Sequence, residues 1–181
     1  MTESGPSRTA GLPARFFSHL GQPVSSSSLA ALRLMFGLLM AAGSIRFCLS
    51  GWVEELFVRP TFFFKYDYFE WMPVWSPTGL YVHFAIVILA ALMVAAGAFY
   101  RIAIFTFGMS FLGIQLMDQS NYLNHYYLVL IITLLLGFLP AHCAFSVDSI
   151  RKPTLLKTHI PRWIIYLLRF QVAIVYVFAS I

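Results

Sequence analysis

Apolar runs of about 20 residues, long enough to cross the roughly 30 Å hydrocarbon layer of a bilayer, recur along this chain and leave few folds open to it. They fall at residues 29–49, 80–100, 102–117, 126–146 and 163–181. Lipid offers the backbone no water, so each run must close its hydrogen bonds within itself as a helix. The expected class is therefore all-α, a polytopic helical membrane protein with about five transmembrane helices. Composition agrees: 60% of the residues are apolar and only 10% charged, too little polar surface to wrap a water-soluble core. The third run is short and adjoins the second at Tyr100-Arg101, which predicts a tight helical hairpin.

Charge orients these spans, because loops rich in Lys and Arg stay on the cytoplasmic side while acidic residues count for little. One set of loops collects Arg8, Arg15, Arg101, Arg151, Lys152, Lys157 and Arg162. The other carries Arg59 and Lys65 among Glu54, Glu55, Asp67, Glu70 and Asp118. The expected setting is a bacterial-type inner membrane with a cytoplasmic N-terminus. The net charge of +5 then reflects topology. With no basic helix and no Gly-rich phosphate loop, nucleic acid is excluded as a partner and the lipid bilayer is the first one expected.

Residues 1–28 contain a serine run at Ser25, Ser26, Ser27 and Ser28, with three prolines and three glycines, and read as a mobile cytoplasmic tail. Residues 29–181 read as one helical transmembrane domain without internal repeat, whose first span is an uncleaved signal anchor. Cys48 and Cys143 fall near opposite ends of their spans, too far apart for a disulfide, and their spacing fits no metal site.

One loop is substantial. Residues 51–78 hold ten aromatic side chains, among them Trp52, Phe62, Phe63, Phe64, Tyr66, Trp71 and Trp75, interrupted by Pro60, Pro73 and Pro77. Two readings stay open: an aromatic belt at headgroup level, and a lid over an apolar pocket that a lipid-soluble ligand reaches from the bilayer.

Ionisable groups inside spans need a partner or a route to the interface. Arg33 and Arg46, near opposite ends of the first span, fit snorkelling as well as function. Arg169, with Gln171, is expected to face the bundle interior, paired with an acid or lining a polar cavity. The densest polar cluster runs from Asp118 to Tyr127. On a continuous helix, Asp118 and His125 would share a face, and the carboxylate would fix the imidazole tautomer. A polar cap and turn is the simpler alternative. His83, at a depth like that of His125, leaves open a haem-binding electron-transfer protein with the two histidines as axial ligands.

The stretch Tyr122-Leu-Asn-His-Tyr-Tyr-Leu128, followed by Phe138-Leu-Pro140 and Ser146-Val-Asp148, resembles the membrane region of vitamin K-dependent gamma-carboxylases, members of a horizontally transferred transmembrane group. Further matches are Ser28-Leu-Ala-Ala-Leu-Arg-Leu-Met-Phe-Gly37, Tyr81-Val-His-Phe84, Tyr100-Arg101, Leu168-Arg-Phe-Gln171 and Val175-Tyr-Val-Phe178. They extend from about residue 22 to the end. The resemblance implies a lyase that couples epoxidation of reduced vitamin K by dioxygen to carboxylation, by carbon dioxide, of glutamates in an exported protein or peptide. It implies Asn124 and His125 as catalytic residues. The polar cluster and the buried-charge argument add Asp118, Tyr122 and Arg169 as candidate orienting residues, charge placement puts the cluster on the extracytoplasmic side, and no metal is expected.

Two departures accompany the resemblance. Gln119 stands where a lysine is common, and the family's catalytic lysine falls just beyond Ile181. The expectation is a truncated N-terminal membrane half, inactive as it stands. The competing expectation is a non-enzymatic membrane protein that binds quinone or a partner.

Overall fold

The computed structural model describes residues 18–179, with side chains through Val177, in two units taken separately below. The larger, Ser27–Leu156, contains helices α1 (Ser27–Leu49), α2 (Pro77–Ala96), α3 (Tyr100–Met117), α4 (Asn124–Phe138) and the short α5 (Val147–Arg151). A π-helical turn at Glu54–Val58 lies in the aromatic loop, and a 3-10 turn at Gln119–Asn121 separates α3 from α4. Helices α1, α2 and α3 are long and apolar enough to cross a membrane.

Successive helices pack in order, α1 on α2, α2 on α3 and α3 on α4. The first contact uses small residues. A Cβ added at Gly37 would come within 2.5 Å of the Ala95 nitrogen and 2.6 Å of the Ala91 oxygen, so the two backbones nearly touch. Close approach of this kind is how helices gain dispersion contact where lipid supplies no hydrophobic drive.

The α2–α3 hairpin turns as the short connection suggests, but at Gly97–Phe99, just ahead of Tyr100-Arg101. Gly97 takes a left-handed conformation (φ 64°) and its N–H returns to the Met93 and Val94 carbonyls, closing α2. The start of α3 is capped from far along the chain: the Asp148 carboxylate accepts from the N–H of Phe99 at 2.9 Å and of Tyr100 at 2.8 Å. The Tyr100 hydroxyl donates to the Leu136 carbonyl at 2.7 Å, and Arg101 donates to the Gly137 carbonyl.

Span four is shorter than expected. The run over 126–146 suggests one crossing, yet α4 has 15 residues, about 22 Å of helix, and ends at Phe138. Pro140 is the cause: it lacks an N–H and pushes Leu139 out of helical conformation, to ψ 152°. The apolar residues that follow form turns around Arg33, which is 1% exposed. Its guanidinium donates to the carbonyls of Ala141 (3.1 Å), Ala144 (3.3 Å), Ala95 (3.3 Å) and Phe145 (2.6 Å). Arg33 therefore does not snorkel. It satisfies carbonyls that two broken helices leave without partners.

The second unit joins residues 18–26 to 157–179. Strand β1 (Pro23–Ser25) pairs antiparallel with β2 (His159–Pro161), with Val24 opposite Ile160, and α6 (Trp163–Ala179) follows. Of the segment expected as a mobile tail, residues 1–17, including Arg8 and Arg15, lie outside the described residues, whereas residues 23–25 form a paired strand. Ser180 and Ile181, the end of the expected fifth span, are also outside them. Cys48 and Cys143 form no bridge with each other.

Candidate functional site

Within the larger unit, a cavity of about 930 Å³ opens beside the aromatic loop. That is the size of sites that enclose small organic ligands, typically about 300–1,000 Å³. Helix α1 contributes Leu39, Met40, Gly43, Ser44, Arg46 and Phe47, and the π-turn region adds Trp52, Glu55, Leu56 and Phe57. Phe84 and Val87 come from α2, and Phe111, Ile114 and Gln115 from α3. The α3–α4 connection and α4 close it with Ser120, Asn121, Leu123, His125, Tyr126 and Val129. Its antiparallel walls set the polar groups Arg46, Glu55, Gln115, Ser120, Asn121 and His125 at the loop end, with Leu39, Met40, Val87 and Val129 deeper.

Ring packing builds these walls. Phe47 stacks on Phe84 at 5.2 Å between centroids and meets Trp52 edge-on at 5.4 Å, while the Arg46 guanidinium lies 5.6 Å over the Trp52 ring. Across the cavity, Tyr126 sits edge-on between Phe111 (5.6 Å) and His125 (4.5 Å). Part of the aromatic loop is therefore a wall of this chamber, and part of it, with Phe62 and Trp71 more than two-thirds exposed, faces outward as a belt would.

The loop is fastened by Asp118, and of the two sequence readings of this cluster the polar cap and turn is the one found. The helix is not continuous from Asp118 to His125: Asp118 is extended (φ −151°, ψ 120°), and α4 starts six residues later at Asn124. The buried Asp118 carboxylate accepts from the N–H of Phe64 (3.2 Å), the N–H and Oγ of Ser120 (3.1 and 2.7 Å) and Nδ2 of Asn121 (3.1 Å). It organises the turn instead of orienting His125. Phe64 also accepts from the Gln119 N–H at 2.7 Å, and Lys65 Nζ donates to the Met117 carbonyl at 2.8 Å. Burial pushes the Tyr66 hydroxyl above its ordinary pKa, with nearby Tyr122 and Asp118 adding to the rise.

Of the residues singled out from sequence, His125 faces the cavity. Asn124 is exposed at the first position of α4 and does not line it, and Tyr122 is exposed beside it in the turn. Arg169 belongs to the other unit and is exposed on α6, where an enclosed position was expected. His83 is buried, edge-on to Trp75 at 4.8 Å, with Nε2 2.8 Å from the Ser110 carbonyl. That nitrogen is a donor and unavailable to iron, and His83 is not among the lining residues that include His125. The geometry runs against a haem held by this pair. Among the described residues, no group of three or more His, Cys, Asp or Glu could hold a metal.

Sequence reasoning missed Gln115 and Ser44, polar residues inside apolar spans, and left Arg46 open between snorkelling and function. The detectable signal was their position: each falls on the loop half of its span, level with the polar cluster.

A family model described as the HTTM domain matches residues 21–181. No solved structure matches the chain.

Proposed function

The chain belongs to the family of HTTM-domain proteins, the domain found in vitamin K-dependent gamma-carboxylase, and on that premise we propose that its cavity receives reduced vitamin K for oxygen-dependent epoxidation coupled to glutamate carboxylation. The overall change is balanced: hydroquinone, dioxygen, carbon dioxide and a glutamate side chain give quinone epoxide, γ-carboxyglutamate and water. Bound there, the hydroquinone would supply, through its reaction with dioxygen, the strong base that a glutamate γ-C–H demands and that no side chain tuned near neutral pH provides.

The observation that carries the reading is that His125 lines one chamber with Trp52, Leu56 and Phe57 of the aromatic loop. The fit is chemical: aliphatic and aromatic walls suit a lipophilic ring and tail, and the polar loop end suits the oxygens. In this reading His125 donates a hydrogen bond to a quinone oxygen or to the reacting carboxylate. Asn124 steadies the peptide at the rim, and the ring-packed walls keep water from the reacting groups. The site faces the extracytoplasmic side, where an exported protein or peptide presents its glutamates.

A second reading has an observation of its own. No lysine is among the residues lining the cavity, and Lys65 of the aromatic loop is held by the Met117 carbonyl. The described residues thus provide binding and orientation, and a non-enzymatic quinone-binding protein needs only those. The test is incubation of the protein in lipid nanodiscs with vitamin K hydroquinone and dioxygen, scored for quinone epoxide. Epoxide that disappears in His125→Ala supports the enzyme. Quinone binding without epoxide selects the second reading.

A further inference from the structure

Residues 18–26 and 157–179 contain no Asp or Glu, yet they gather Lys157, Arg162 and Arg169 with His19 and His159. The ribbon fixes part of this set. Arg162 N–H donates to the Gln22 carbonyl at 3.0 Å and Ser26 N–H to the Thr158 carbonyl at 3.0 Å, which brings His19 to the start of α6. Arg162 Nη1 lies 2.9 Å from Nε2 and 3.1 Å from Nδ1 of His19. One donor cannot meet both in-plane lone pairs of a ring, so the guanidinium rests against the imidazole and keeps donors free. His19 Nε2 in turn approaches the Tyr166 hydroxyl at 3.2 Å, with the two rings stacked.

A second feature points to the same ligand. Arg162 sits just ahead of α6, its carbonyl accepting from the Ile165 N–H at 3.0 Å, and Tyr166 and Arg169 follow on α6 three residues apart on one face, so Arg169 lies about two turns beyond Arg162. Arg169 is exposed inside an apolar helix, and no hydrogen bond or ion pair reaches it among the described residues. A cation placed there in a bilayer must snorkel toward the helix start, where Arg162 already waits, and bring an anion to it.

We propose that His19, Arg162, Tyr166 and Arg169 form a headgroup site for an anionic phospholipid. The phosphate is held between the two guanidinium groups and the acyl chains lie along α6. A phosphodiester matches the geometry because Arg binds phosphate through paired donors, and the exposed Tyr166 and Trp163 mark headgroup depth. This site belongs to the smaller unit and is independent of the quinone reading.

The experiment is native mass spectrometry of the full chain released from nanodiscs that contain phosphatidylglycerol and phosphatidylcholine in equal amounts. The expected result is retained phosphatidylglycerol, with the anionic preference falling about fivefold in Arg169→Gln and about 25-fold in Arg162→Gln/Arg169→Gln. Arg169→Lys, which keeps the charge, retains most of the preference. Circular dichroism confirms that each variant keeps its helix content. Because Arg169 is exposed and unpartnered, its variant isolates the lipid effect. Equal retention of both lipids, or variants that match the wild type, would overturn the proposal. So would inorganic phosphate displacing the lipid at millimolar concentration, which would mark a free-anion site.

Discussion

Arg33 was legible from sequence as a costly charge in an apolar span, but its purpose was not, because its partners are backbone carbonyls up to 112 positions away and carry no side-chain signature. The structure makes it the pin that fastens the ends of α2 and α4. Replacing it by Leu strands four acceptors, and the expected cost is about 2–4 kcal/mol, read as a lower thermal midpoint in detergent. Two glycines sharpen the argument. A Cβ at Gly97 would lie 2.7 Å from Arg33 Nη1 and 2.4 Å from Ser146 Cβ, on a backbone with φ 64°. Gly97→Ala should cost about 2–4 kcal/mol from strain and displacement of the pin. At Gly43 an added Cβ meets nothing within 4 Å, so Gly43→Ala should change the midpoint by no more than about 0.5 kcal/mol equivalent. Equal effects at the two glycines would contradict this packing.

At the scale of elements, hydrophobic runs located every apolar helix among the described residues, and the errors fell at the breaks between helices and at the strand inside the expected tail. Pro140 cut the fourth span, and Asp118 broke the path that would have aligned its own side chain with His125. Both breaks were written in the sequence: at Pro140 the apolar residues on either side outweighed the proline, and at Asp118 the cap-and-turn alternative already described the break. Asp118 and Asp148 do parallel work, each holding backbone N–H groups of a neighbouring turn. Removing either carboxylate should cost about 1 kcal/mol locally, or roughly fivefold faster amide exchange. Asp118→Ala should expose the Phe64 and Ser120 amides, and Asp148→Ala those of Phe99 and Tyr100. Exchange that rises uniformly across the protein would show that these are global supports instead of local caps.

At the scale of the whole molecule, what the sequence left open was the enclosure. The membrane class and the hairpin were readable from runs and motifs, and the motif singled out His125, which lines the chamber. A pocket under the aromatic loop was one of two open readings, but its walls could not be named, because they come from non-adjacent elements: α1, the π-turn of the aromatic loop and the start of α4 share no motif. The account's central claim is that this chamber takes a lipophilic quinone. The most direct test is quenching of Trp52 emission by vitamin K quinone in nanodiscs, with Trp52→Phe identifying its share among the four tryptophans, and with Gly43→Leu adding bulk to the wall. The prediction is saturable quenching that Gly43→Leu weakens at least about tenfold while helix content and thermal midpoint hold. Quenching that never saturates, or that is the same in Gly43→Leu, would contradict it.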